Sequence, residues 1–155
     1  HTGWAACVVV TGTPKKPGIV ANTIIDLLDD SERFCFHMAA EMKRPDAEKF
    51  LVRVRAKALA QAKRALALLL AHDVAACAIV AKADPMDDLD TILAAHPRIH
   101  TAEGRMYRDV LREACTVPVQ LVPPKSLDIT PIGKLAGPPW GRDQKLAALA
   151  AWSML

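Results

Sequence analysis

The chain has 155 residues, of which 52% are hydrophobic and 24% charged, and its formal net charge is +3. This balance excludes disordered and fibrous classes and predicts one globular α/β domain over residues 1–155, long enough to bury a complete core. A charge of +3 is too small to identify an anionic partner, so charge distribution has to decide.

No apolar run approaches the roughly 18–20 residues of a membrane span, and the first residues lack the basic-then-apolar pattern of a secretory leader, so a cytoplasmic protein is expected. Cys7, Cys35, Cys77 and Cys115 lie far apart, three of them inside apolar runs. No pair has metal-ligand spacing, and buried free thiols are expected.

In chain order, Ala5–Thr11 is a β-branched run ending in a Gly/Pro cluster and reads as a buried strand. The connection GTPKKPG lacks the glycine-lysine pattern of a phosphate-binding loop, and Pro14 and Pro17 remove two amides that a phosphate cradle would use. It reads as a tight turn between neighbouring strands with Lys15 and Lys16 at its tip. Gly18–Asp26 fits either a second strand or a helix begun by Pro17. The aromatic-rich Ser31–Ala39 reads as a strand in which His37 alternates with Cys35 and faces solvent.

Leu51, Val54, Ala58, Ala62, Ala65 and Leu69 recur at three- and four-residue steps, predicting a helix over 47–71 with Pro45 and Asp46 at its start. Lys49, Arg53, Lys57 and Arg64 lie opposite, the pattern of a solvated face. Ala75–Ala83 reads as a buried strand running into Asp84 and Pro85, and DDLDTILAA as a short helix. A helix capped by Thr101 is expected to run to Ala114, followed by a strand at Val117–Pro123 and, after a Pro-rich loop, a final helix over Asp143–Trp152. Three N-terminal strands followed by alternating helices and strands predict a mixed sheet of about five strands flanked by helices.

Ligands of open α/β sheets gather beyond the carboxyl ends of the strands, which draws attention to Thr11–Lys16, Asp84 and Pro123–Lys125. Asp84 leaves a buried strand directly, although Asp-Pro also initiates turns. Asp143 is placed to cap the last helix or to ligate a hard cation. Glu103 opens the helix after Thr101, where the dipole favours an acid. His100 is a candidate acid or base, His72 and His96 sit at helix ends, and none of these histidines is read as part of a zinc site. Trp140, between Pro-Pro and Gly, is either a loop anchor or a stacking platform.

The element order, together with ACAIVAKAD, AEGRMYRDVLREA, VPVQLVPPKSL and GRDQKLAALAAW, resembles the ribonuclease H-like fold, in particular the bacterial Holliday-junction resolvase branch, over nearly the whole chain. The resemblance implies a divalent-metal-dependent nuclease, or a degenerate relative, with Asp84 and Asp143 on Mg2+ or Mn2+; Glu103 and His100 join them as candidate catalytic residues. Lys15, Lys16, Lys125, Arg142 and Lys145 would then meet nucleic-acid phosphates. The acid which that family carries on its first strand has no counterpart in Ala5–Thr11. Two other classes fit the same residues. One is an enzyme on a phosphorylated or carboxylated metabolite, with His100 as acid or base and Lys125 or the Lys15–Lys16 turn holding the anion. The other is a non-catalytic interaction domain. Nucleic acid and a second copy of the chain are the partners left open.

Overall fold

The computed structural model describes every residue except Ala83, Asp84, Thr130, Pro131 and Lys134. Its elements are β1 (Trp4–Thr13), β2 (Lys16–Asp26), α1 (Cys35–Ala40), α2 (Arg44–Leu70), β3 (Cys77–Val80), α3 (Leu89–Leu93), α4 (His96–Ala114), β4 (Val119–Val122), a 3-10 turn at Pro124–Ser126, and α5 (Arg142–Trp152).

The class is α/β, but the expected five-stranded sheet is not formed. Among the described residues there are two sheets of two strands each, the antiparallel pair β1–β2 and the parallel pair β3–β4. Part of the shortfall lies in Ser31–Ala39, which is a turn and a helix. Asp29 accepts the Ser31 amide at 3.2 Å and turns the chain, and Cys35, Phe36 and Ala39 then bury one face at helical spacing. The rest lies in the hairpin, whose strands pair only with each other. The crossover logic holds for the second sheet: β3 and β4 run parallel in the register Cys77↔Val119 to Val80↔Val122, with α3 and α4 in the connection between them.

The chain divides into two compact units. The first takes residues 1–5, 26–64 and 84–114, and the second residues 6–25, 65–83 and 115–155; α2 contributes to both. In the first unit α1, α3 and α4 pack together around Leu27, Cys35, Phe36, Ile99, Met106 and Val110. Leu51, Val54, Ala58 and Ala62 form the buried stripe of α2 that their spacing predicts, while Lys49, Arg53, Lys57 and Arg64 are exposed. Part of that basic stripe is neutralised within the unit: Arg53 pairs with Glu32 at 2.7 Å, and Lys57 with Asp29 at 2.7 Å and Glu32 at 2.6 Å. The Lys57 ammonium and the Ser31 hydroxyl hold the Asp29 carboxyl down to about 2.

In the second unit α5 packs on β3, with Ala148 and Ala150 buried. The hairpin turn forms as read, with Lys15 and Lys16 exposed at its tip. The strands expected to be buried are half-buried instead, because each has only one paired neighbour and one sheet edge left open. Gly12 is required by the turn: its φ is +100°, and a Cβ there would lie 2.3 Å from the Lys16 carbonyl oxygen. Gly12→Ala is therefore expected to lower stability by about 1–3 kcal/mol in urea denaturation. Gly137→Ala, where a Cβ meets nothing within 4 Å, is expected to stay within about 0.5 kcal/mol. Equal midpoints for the two variants would contradict this account of the turn.

Candidate metal centre

Helix α4 begins at His96, five residues before the expected capping residue. Thr101 lies inside the helix, and its hydroxyl donates back to the Pro97 carbonyl at 3.0 Å. Pro97 at the second helical position costs nothing, since amides of the first turn have no intrahelical partner. The earlier start moves Glu103 from the helix entrance to its third turn and onto the buried stripe of Ile99, Ala102, Met106, Tyr107 and Val110. Its expected role as an acid at a helix N-terminus is thus overturned.

Glu103 is fully buried. Its Oε1 accepts three hydrogen bonds, from the amides of Phe36 at 3.1 Å and His37 at 3.3 Å and from His37 Nδ1 at 2.9 Å. The two amides belong to the first turn of α1, whose own flanking residue Phe34 supplies no side-chain cap. A carboxylate from α4 therefore does the work of a cap for α1. The same oxygen decides the imidazole: with Nδ1–H donating to Glu103, His37 Nε2 is left with its lone pair. Glu103 Oε2 is buried and has no hydrogen-bond partner among the described residues.

The free side of His37 faces two more imidazoles. His37 Nε2 lies 3.3 Å from His96 Nε2, and the ring centroids are 5.1 Å apart for His37–His96, 4.6 Å for His37–His100 and 4.5 Å for His96–His100. One ring nitrogen from each comes within 4.8 Å of the others. His96 and His100 are four residues apart on α4 and so share a face, and both are exposed. His37 is half-buried beneath them, with Phe34 edge-on at 6.0 Å. His37 is thus in a helix and turned onto Glu103, not in a strand facing solvent, and the histidines dismissed as a metal site are gathered in one place.

The spacing His96–x3–His100 with Glu103 three residues on was the available signal, one helical face offering two imidazoles and an acid. His37 carried none, because its partners are about 60 residues away. Arg44 and Asp90 pair, as do Arg98 and Asp87 at 2.8 Å, so charged residues around this unit's surface are committed elsewhere.

The other anticipated residues are dispersed. Asp84 lies outside the described residues. Asp143 is the second residue of α5 and half-buried; the residue preceding the helix is Gly141, whose amide is taken by Gln144 Oε1 at 3.1 Å, so Asp143 is not the capping residue. Arg142 is exposed and Lys145 half-buried on the same turn, Lys125 is exposed in the 3-10 turn after β4, and Lys15 and Lys16 form the hairpin tip. All four cysteines are free, but only Cys35 is buried; burial pushes its thiol up to about 12. Cys77 and Cys115 interact, and the Cys115 S–H lowers the Cys77 thiol below its ordinary range.

No family model, no curated protein and no solved structure matches the chain.

Glu103→Ala strands three donors and removes the bridge between α1 and α4. It is expected to cost about 3 kcal/mol in denaturant unfolding. Glu103→Gln, which keeps one acceptor and the volume, is expected to cost less than half as much. Equal stability of the wild-type and Ala proteins would show that the carboxylate does not hold α1 in place.

Proposed function

We propose that the chain binds a divalent transition-metal ion of the zinc class through His37, His96 and His100, and that the metal presents a bound water to solvent. The observation that carries this reading is the convergence of three imidazole nitrogens within 4.8 Å, one of them backed by a buried carboxylate. Four-coordinate zinc with Zn–N bonds of about 2.05 Å separates its ligand nitrogens by about 3.3 Å, which is the His37–His96 separation. The half-bare carboxylate of Glu103 also calls for positive charge nearby, and a cation on His37 supplies it. Three protein ligands, two of them exposed, match sites that keep a water on the metal more than closed structural sites with four. The chemistry open to such a site is hydrolysis by metal-bound water. Imidazole ligands suit zinc, nickel, cobalt and copper better than magnesium.

Titration of the metal-free protein with Co2+ is expected to give the visible bands of a tetrahedral site and one equivalent bound, displaced by Zn2+. His96→Ala and His100→Ala are each expected to abolish saturable binding, and Glu103→Gln to weaken it by about 10- to 100-fold. Unchanged affinity in either histidine variant would exclude the site.

A second reading has its own support. Asp143 stands in the first turn of α5, and α5 packs on β3. This favours the proposal that the second unit meets nucleic-acid phosphates, with a hard divalent cation at Asp143 and Lys15, Lys16, Lys125, Arg142 and Lys145 as the basic contacts. Affinity for a branched DNA duplex should then fall steeply with salt, the log–log slope losing about 0.9 per phosphate contact removed by Lys→Gln substitution. Salt-independent binding, or none, sinks this reading and leaves the histidine site untouched.

A further inference from the structure

The loop before α5 borders an open pocket of about 410 Å3 lined by Gly133, Ala136, Pro138, Trp140 and Lys145, within the usual size range of small-ligand pockets. Its walls are held from two sides. Asn22 on β2 donates its side-chain amide to the carbonyls of Gly137 at 3.0 Å and Pro139 at 2.5 Å, and Trp140 Nε1 donates to the Gly133 carbonyl at 2.9 Å. The second bond spends the one polar atom of the indole, so a ligand meets the ring as an apolar, π-bearing surface. Ala136 and Pro138 add apolar wall, and Lys145 is the charged side chain among the described residues of the lining.

A flat aromatic wall beside one cation selects a ligand that joins a planar ring to an anion. The cations do not stop at the cavity. Arg142 lies three residues before Lys145 on the same helical turn, with Asp143 between them as a partial offset. At the other end of α5, Trp152 Nε1 donates to the Pro14 carbonyl at 3.0 Å, which brings the Lys15–Lys16 tip to the helix C-terminus. Ten residues of helix put these two basic groups about 15 Å apart. A free nucleotide does not reach from one to the other, whereas a strand does.

We infer that the second unit binds single-stranded nucleic acid, with one unstacked base on Trp140 in this cavity, its phosphate on Lys145, and the strand continuing along α5 toward Lys15 and Lys16. A base inside a duplex is stacked on both faces and cannot enter; a single strand offers its rings freely. The inference shares its class of ligand and its basic contacts with the nucleic-acid reading above, but it needs neither a metal nor Asp143.

The test is fluorescence anisotropy of a labelled twelve-nucleotide single-stranded DNA with the whole chain. Trp140→Ala is expected to weaken binding by about 5- to 150-fold, the range for one base–aromatic stack, and Trp140→Phe to recover most of the loss. Lys145→Gln is expected to lower affinity and flatten the log–log salt slope by about 0.7. Wild-type affinity in Trp140→Ala with an unchanged melting temperature overturns the inference, and so does a duplex of the same sequence binding as tightly. Adenosine monophosphate competing with the affinity of the oligonucleotide overturns the strand in favour of a free nucleotide. Mn2+ binding that persists unchanged in Asp143→Asn, or no Mn2+ binding by the wild-type chain, would sink the second reading and leave this one standing.

Discussion

One carboxylate oxygen organises the first unit. Glu103 Oε1 gathers two amides and an imidazole N–H from a helix nearly seventy residues upstream, and the side chain is fully buried. Burying a carboxylate is costly unless hydrogen bonds replace its hydration, and here the replacement is also the contact that ends the turn after β2 in a helix. The Tyr107 hydroxyl adds a second tie one turn further along α4, donating to the Arg33 carbonyl at 2.6 Å. Between them, Glu103 and Tyr107 hold the entry to α1 at two points, and six residues of helix with so little intrinsic stability need both.

Placing His37 follows from this arrangement. A histidine on a six-residue helix would sample many orientations, but its Nδ1 is tied to a buried acceptor, so Nε2 points where α4 carries His96 and His100. Structure and chemistry meet in the same residue: the acid that stabilises α1 also fixes which nitrogen of His37 is available. The other oxygen of that acid, Oε2, is buried with no hydrogen-bond partner among the described residues.

The second unit solves a different problem. Its four strands form two pairs, each too small to cover both faces, and its loop is held by side chains instead of by a ladder: Asn22 on two carbonyls, Trp140 on a third, Trp152 on a fourth. Tryptophan suits this task because its ring fills space while a single N–H fixes its direction. The trade is that ring surface stays open to the cavity between those anchors.

Much of this protein could be read along the chain. The hairpin turn, the buried stripe of α2, the parallel β3–β4 pair with its helical crossover, and α5 all follow from local periodicity and from proline and glycine placement, which act over a few residues and leave their pattern in order. The face shared by His96, His100 and Glu103 was hidden by the expected start at Thr101 and emerges only with α4 beginning at His96. Tertiary structure alone decided that Ser31–Ala39 is a helix and that the strands split into two sheets. It alone also decided that His37 joins residues about sixty positions away. Those outcomes turn on where a buried carboxylate finds its donors, and a partner chosen across the core leaves no period in the sequence.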